Sequence, residues 1–246
     1  MFKRIIFILI FINVMLFGNT ITVAVAANVT YAIPNLIKEF NKKYPDIEVK
    51  TILGSSGKLT AQIVKGANID IFMSANMKYP NYLFSHKMAK TKPVVYAKGV
   101  LALLSPKKTN LSKGIYLLLD KDIKAVATAN PKTAPYGIAA KDAMQKSGIY
   151  KKIKHKFVYG ESISQTLSYT MMAADIGLVA KSSLFSPKMA KYKKGTNWVD
   201  IDKTLYKPIK QGIVMLNQKS ETKMFYEFIL SDDAKKIFEE FGYMLP

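Results

Sequence analysis

The feature that most limits what this chain can fold into is its alternation. Short apolar runs of strand length take turns with longer segments whose apolar residues recur at helical spacing. Residues 21–26 form the first run, and 30–44 form the first helical pattern, with Ile33, Leu36, Ile37 and Phe40 on one face. Pro45-Asp46 makes a turn, 47–53 alternates as a strand, and Gly54-Ser55-Ser56-Gly57 is a second turn. A short helix over 58–65 stops at Gly66; 69–73 reads as a buried strand, 77–88 as a helix, and 94–104 as one long or broken strand ended by Pro106. The second half has the same grammar. Strands fall at 125–129, 156–159, 176–180 and 213–216. Helices fall at 138–146, 164–174 and, broken near Ser231-Asp232, at 222–241; 182–191 is helical or irregular.

Strands alternating with helices predict an α/β fold of mainly parallel sheets flanked by helices on both faces. No period of repeat-protein length recurs. Two similar blocks, each too small to fill the chain, predict two lobes. Ligands of such sheets bind outside the carboxyl ends of the strands, which in a two-lobed chain means the interlobe cleft.

The N-terminus has its own pattern. Lys3 and Arg4 precede an apolar run over 5–17, and Gly18 follows. A basic start, a short apolar stretch and a small residue predict a cleaved export signal over residues 1–18, because the run is shorter than the ~20 apolar residues that span a bilayer. The chain has no cysteine. At this size an exported protein needs no disulfide. Lacking a cysteine to carry a thioether-linked lipid, a soluble receptor needs an outer membrane to retain it, which predicts a Gram-negative periplasm.

The formal charge of +20 falls to +18 without Lys3 and Arg4. Such a charge raises the question of nucleic acid. The lysines are scattered through every segment, however, and Arg4 is the only arginine. Arginine is the usual bidentate reader of guanine and phosphate, so a lysine-rich solvated surface with no nucleic-acid partner is the better reading.

Four strand-to-helix turns carry small or hydroxyl-bearing residues: Ala27-Asn28-Val29-Thr30, Gly54-Ser55-Ser56-Gly57, Ala134-Pro135-Tyr136-Gly137 and Gly160-Glu161-Ser162-Ile163-Ser164. The first turn of a helix has unpaired N–H groups and the positive end of the macrodipole. It can hold an anion with no charged side chain. Ordinary N-capping explains any one of these turns; four of them, two from each half, favour a shared anion. Carboxylate ligands are commonly clamped by arginine forks, and none is available, so a tetrahedral oxyanion that needs only convergent donors gains ground. A ferric site would want tyrosinate, carboxylate or imidazole ligands. His86 and His155 lie in lysine-rich segments and Tyr136 stands alone, so neither a metal centre nor an organic cofactor is expected.

One enzyme pattern competes. Ser55-Ser56-Gly57-Lys58 fits S-x-x-K, with Ser74-Ala75-Asn76 and Lys146-Ser147-Gly148 resembling its companion motifs in order. In that alternative Ser55 is the nucleophile of a periplasmic acyl-transferring enzyme and Lys58 activates it.

Further stretches carry a family resemblance. Val25-Ala26-Ala27-Asn28, Gly54-Ser55-Ser56-Gly57 with Ala61-Gln62-Ile63-Val64 and Gly66-Ala67, and 130–137 resemble the periplasmic molybdate-binding proteins of ABC transporters. Gly160-Glu161-Ser162-Ile163, Gly177-Leu178-Val179-Ala180 and Gly242-Tyr243-Met244-Leu245-Pro246 continue the match over nearly the whole chain after residue 18. The resemblance implies the two-lobed class II binding-protein fold, with residues 20–96 plus 213–246 as lobe one and about 97–212 as lobe two. The crossings would fall near 96–98 and 208–212.

The same resemblance implies a molybdate or tungstate ligand, a membrane permease and an ATPase as partners, and a monomeric, non-catalytic receptor. Carried over by position, Asn28 would donate from side chain or backbone, Ser56 from hydroxyl and N–H, and Tyr136 and Ile163 from backbone N–H. Ala27, Ser55 and Gly57 flank them as a second tier. Many members of that family have serine where Asn28 stands and tyrosine where Ala180 stands, so the donor count is open. Molybdate, tungstate, sulfate and chromate are left unranked, as all are acceptor-only dianions. Phosphate is less favoured because its proton wants an acceptor, and only Glu161 is near a proposed turn.

Overall fold

A computed structural model describes residues 19–246, so the export signal expected over 1–18 lies outside the described residues. In chain order the elements are β1 (Asn19–Ala26), α1 (Ile33–Lys43), β2 (Ile47–Gly54), α2 (Ser56–Val64), β3 (Ile71–Ser74), α3 (Lys78–Ser85), β4 (Val94–Gly99) and β5 (Leu101–Leu104). They continue as β6 (Val126–Ala129), α4 (Pro135–Lys146), α5 (Tyr150–Ile153), β7 (Phe157–Gly160), α6 (Ile163–Met172), β8 (Ile176–Ala180) and β9 (Trp198–Asp200). The last are β10 (Ile209–Met215), α7 (Ser220–Leu230) and α8 (Asp232–Glu240). Short 3-10 turns fill several connections, including Ala27–Val29 and Lys181–Phe185.

The strands form two five-stranded sheets, ordered β2-β1-β3-β10-β4 and β7-β6-β8-β5-β9. Both faces of each sheet are covered, and the strand period of two sorts the side chains. Val23 and Val25 of β1 pack with Leu36, Phe40, Phe225 and Phe238 of α1, α7 and α8. Ala24 between them faces Leu59, Ile63 and Leu83 of α2 and α3. In the second sheet Leu101 and Leu103 meet Ala139, Ala140 and Ala143 of α4, while Ala102 and Leu104 meet Leu167 of α6 and Trp198. Burial on both faces is why these strands read as continuous apolar runs.

The sheets are mixed rather than wholly parallel. β10 runs antiparallel to β3 and β4, and β5 runs antiparallel to β8 and β9. The connectivity explains this. Gly99 pairs with Ile209 in the first sheet, and Leu101, two residues on, pairs with Ala180 in the second. β5 therefore enters its sheet from the side where β6 and β8 end, and must run against them. β10 enters the first sheet in the same way.

The long strand read over 94–104 is thus broken at Val100. α4 starts at Pro135, three residues before the periodicity suggests, because proline is favoured at the first helical position. β10 starts at Ile209 instead of 213, since backbone pairing with β4 carries Lys210, Gln211 and Gly212 into the strand despite their unfavourable pattern. β9 has only three residues and no readable signal.

Candidate functional site

The carboxyl ends of β1, β2, β3, β6 and β7 converge where the sheets meet. A cavity lies there, about 190 Å³ including its mouth, lined by Ala26, Ala27, Asn28, Gly54, Ser55, Ser56, Ala75, Ala134, Pro135, Tyr136 and Ile163. Asn28, Ser56, Tyr136 and Ile163, taken from four separate turns, share this one space. Ala27 and Ser55 join them, whereas Gly57 stands at the seam between the halves. No lining residue carries a formal charge.

Each turn can be read by following its N–H groups. In α2, Ser55 is the N-cap and its Oγ accepts from the Lys58 N–H. The Gly57 N–H reaches the Thr133 carbonyl at 3.0 Å and the Leu59 N–H closes the first helical bond to Ser55. The Ser56 N–H is left over. In α4, Pro135 has no N–H, and Gly137 and Ile138 both bond to the Ala134 carbonyl, leaving the Tyr136 N–H. In α6, the Gln165 N–H is capped by Ser162 Oγ and the Thr166 N–H bonds to the Ser162 carbonyl, leaving those of Ile163 and Ser164. At the end of β1 the Thr30 N–H turns back to Ala27, leaving Asn28 and Val29. Every turn keeps one or two donors that no described residue accepts.

The Ser56 hydroxyl is fixed as a donor. Ser56 is fully buried, and its Oγ accepts the Ala75 N–H at 2.9 Å. Its own proton has no acceptor among the described residues. The sequence contains no signal for Ala75; the residue arrives because β3 ends beside α2. The Asn28 side chain is tied inward: Nδ2 donates to Gln211 Oε1 at 2.7 Å and to Tyr243 Oη at 2.9 Å. The Asn28 carbonyl accepts from Ser182 Oγ and Tyr243 Oη, both at 2.8 Å. Gln211, Ser182 and Tyr243 were not anticipated as site residues. The Tyr136 ring runs behind the cavity, where burial, then the neighbouring Tyr243, Tyr96 and Tyr206, hold its hydroxyl well above the usual tyrosine range, opposed only by Gln211.

The halves are latched across the cavity. Besides Gly57 to Thr133, Ser164 Oγ donates to the Ala27 carbonyl at 2.8 Å. Lys58 Nζ pairs with Glu161, both more than half exposed. A Cβ on Gly57 would lie 2.9 Å from the Thr133 carbonyl oxygen and 2.8 Å from Tyr79 Oη, so glycine is what allows this approach.

These contacts remove the geometric basis of the S-x-x-K reading. The Lys58 ammonium is committed to Glu161, and only its backbone meets Ser55. Lys146 and Ser147 sit at the far, C-terminal end of α4. Among the described residues no three acidic, histidine or cysteine side chains cluster as a metal site, and His86 is stacked on Tyr82.

Comparison with known proteins decides the family. The model of the bacterial extracellular solute-binding proteins matches residues 21–244. The chain belongs to this family. Curated relatives of this solute-binding protein include the molybdate-binding protein ModA of Rhodobacter capsulatus, 34% identical over 92% of this chain and 89% of that protein. ModA of Azotobacter vinelandii is 31% identical over 92% of this chain and 90% of its own. The solved periplasmic molybdate-binding protein of Azotobacter vinelandii superimposes with a TM-score of 0.84 at 29% identity, covering 92% of this chain and 99% of that one. The sulfate-binding protein SubI of Mycobacterium tuberculosis shares the fold, with a TM-score of 0.71 at 12% identity. Membership of a family of extracellular binding proteins, not of enzymes, agrees with the dismantled S-x-x-K geometry.

Proposed function

We propose that this solute-binding protein is the receptor of a molybdate or tungstate ABC importer. One observation carries the reading: four helix starts leave unclaimed N–H groups at a single cavity that contains no charged side chain. A tetrahedral dianion offers acceptors only, and convergent neutral donors at helix N-termini are the matching chemistry. The relatives whose names specify molybdate support the choice of anion. In this reading Asn28, Ser56, Tyr136 and Ile163 donate backbone N–H groups and Ser56 adds its hydroxyl. Ala27, Ser55 and Gly57 shape the turns.

The two sheets are the two lobes, 20–96 plus 213–246 and about 97–212; strand pairing supports drawing their edges at Gly99 and Ile209. Residues 1–18 direct export and are removed, the mature receptor works as a monomer in the periplasm, and it passes its anion to a permease driven by an ATPase. It uses no organic cofactor and no nucleic acid.

Titration calorimetry of the purified protein with molybdate, tungstate, sulfate, chromate and phosphate tests the assignment. One anion per chain, with molybdate or tungstate tightest, is expected. Silence with both, beside clear binding of an amino acid or ferric iron, would end this reading.

A further inference from the structure

Lysine is spread through the whole chain, but carboxylates do not keep pace with it. Residues 97–212 hold 21 lysines and 7 carboxylates, a net +14, whereas 19–96 plus 213–246 hold 14 and 10, a net +4. The two halves are of nearly equal length, so the molecule is electrostatically lopsided. The excess has a focus. Lys151, Lys152, Lys154 and Lys156 fall within six residues. Among the described residues, the lysines of this half that meet a carboxylate are Lys113, Lys181 and Lys194. Lys121, Lys151, Lys152 and Lys154 are exposed and meet none.

The fold gathers this charge in one place. β6 and β7 pair in parallel, Val126 beside Phe157, so the chain before each strand emerges at the same end of the sheet. Residues 119–124 and 150–156 are those two segments. Between them runs a groove of about 820 Å³ including its mouth, lined by Lys121, Lys124, Lys152 and Lys156 with the apolar Leu119 and Ile123. Lys156 fastens one wall: its Nζ donates to the carbonyls of Leu118 and Asp120, both at 3.0 Å. Tyr116 stands half exposed on the same 3-10 turn as Leu119, Gly114–Leu119. Of the nearby acids, Asp120 pairs with Lys113, and Asp175 accepts the N–H groups of Lys124 and Ala125; Asp122 offsets one lysine. The oxyanion cavity lies at the other, carboxyl ends of β6 and β7, a strand length of roughly 13 Å away, so the groove does not serve it.

We propose that this groove and the 150–156 segment dock the protein on an anionic phospholipid bilayer. Charge complementarity carries the choice of partner. Clusters of lysines bind acidic membrane surfaces, each lysine near the surface adding about fivefold in affinity. Lysine is a hydrated point charge without arginine's planar fork. It suits a diffuse layer of headgroups better than the fixed carboxylates of a protein partner. Tyr116 and Leu119 add apolar bodies at the rim, as interfacial residues do. The +14 half turns toward a negative surface before contact. Because the cavity is at the opposite end, the cleft stays uncovered. A chain with no cysteine to carry a lipid is thereby held reversibly at a membrane.

Co-sedimentation of the protein with lipid vesicles in about 0.1 M salt, where charges more than about 10 Å apart are screened, tests this. The wild type should bind vesicles of equal parts phosphatidylcholine and phosphatidylglycerol, and not pure phosphatidylcholine. Lys151→Gln, Lys152→Gln and Lys154→Gln together should weaken binding roughly a hundredfold. Lys38→Gln, Lys65→Gln and Lys92→Gln, at exposed positions of the other half, remove the same charge and should cost less than about threefold. Equal losses from the two triple variants would make net charge the cause and overturn the proposal. Failure of the wild type to bind the mixed vesicles, or equal binding to pure phosphatidylcholine, overturns it without any variant. Soluble polyglutamate bound more tightly than the mixed vesicles at equal anionic charge, with that binding lost in the first triple variant, would point to an acidic protein and overturn the lipid assignment. The proposal does not depend on the oxyanion reading: molybdate titration and vesicle sedimentation fail separately.

Discussion

Ser56→Ala tests the site at its most exposed assumption. The hydroxyl has two tasks: its oxygen accepts the Ala75 N–H at 2.9 Å, and its proton is free for the ligand. The substitution leaves the Ala75 N–H buried and unpaired whether or not an anion is bound, a stability cost of about 1–3 kcal/mol. It also withdraws a donor from a charged ligand, worth about 1.5–3 kcal/mol. At 1.4 kcal/mol per decade, affinity should fall roughly tenfold to a hundredfold. The first loss appears in the melting temperature of the empty protein, and the second in calorimetric affinity for molybdate. Two neighbours serve as controls. Ser55→Ala removes an N-cap, costing about 1 kcal/mol of stability, with affinity changing much less. Lys58→Ala breaks an exposed ion pair worth about 0–1 kcal/mol, so binding weakens fivefold at most. Molybdate affinity of Ser56→Ala within about threefold of wild type, far less than one charge-assisted hydrogen bond provides, would show that the hydroxyl does not touch the ligand. A covalent acylation by a β-lactam that Ser55→Ala or Lys58→Ala abolished would restore the enzyme alternative.

Three further outcomes follow from the same geometry. Gly57→Ala should weaken binding, because its Cβ would lie 2.9 Å from the Thr133 carbonyl oxygen across the seam, whereas the Tyr79 hydroxyl it also meets is the far end of a side chain in its own half; overpacking of about 1–3 kcal/mol implies roughly a fivefold to hundredfold loss, and unchanged affinity would mean that the seam is not part of the bound state. Molybdate should reduce the radius of gyration in small-angle scattering, since each half holds only part of the donors and the ligand favours closure; an unchanged profile at saturation argues against a hinge. Affinity should be flat between about pH 6 and 9, where no lining group titrates. Tyr136, the lone titratable residue among those lining the cavity, is pushed up by burial. Its ionisation would set a negative charge beside the anion only above the ordinary tyrosine value of 10.0. A fall in affinity centred near neutrality, measured by calorimetry in matched buffers, contradicts the neutral-donor site.

The local grammar was legible in the residue order. Periodicity of two or 3.6 residues reflects which faces are buried, so Ile21 to Ala26 could be read as a strand and Ile33, Leu36 and Phe40 as one helix face. Turn chemistry is equally local: Ser55 and Ser162 cap α2 and α6 because the hydroxyl meets an N–H three residues on. The absence of arginine after residue 4 needed no structure to narrow the ligand.

The contacts that assemble the site join residues far apart in the chain. Asn28 meets Gln211 across 183 residues and Tyr243 across 215. Gln211 sits in a stretch, Lys210 to Gly212, whose pattern argues against a strand at all. Lys58 reads as a candidate partner for Ser55; its side chain is exposed and pairs instead with Glu161 of the other half. Gly57 reads as a turn glycine, yet its missing Cβ makes room for Thr133. The reason is physical. Strand and helix patterns are set by neighbours within a few residues, whereas a site between two sheets is assembled from loop ends whose proximity depends on how the chain crosses twice, at Val100 and before Ile209.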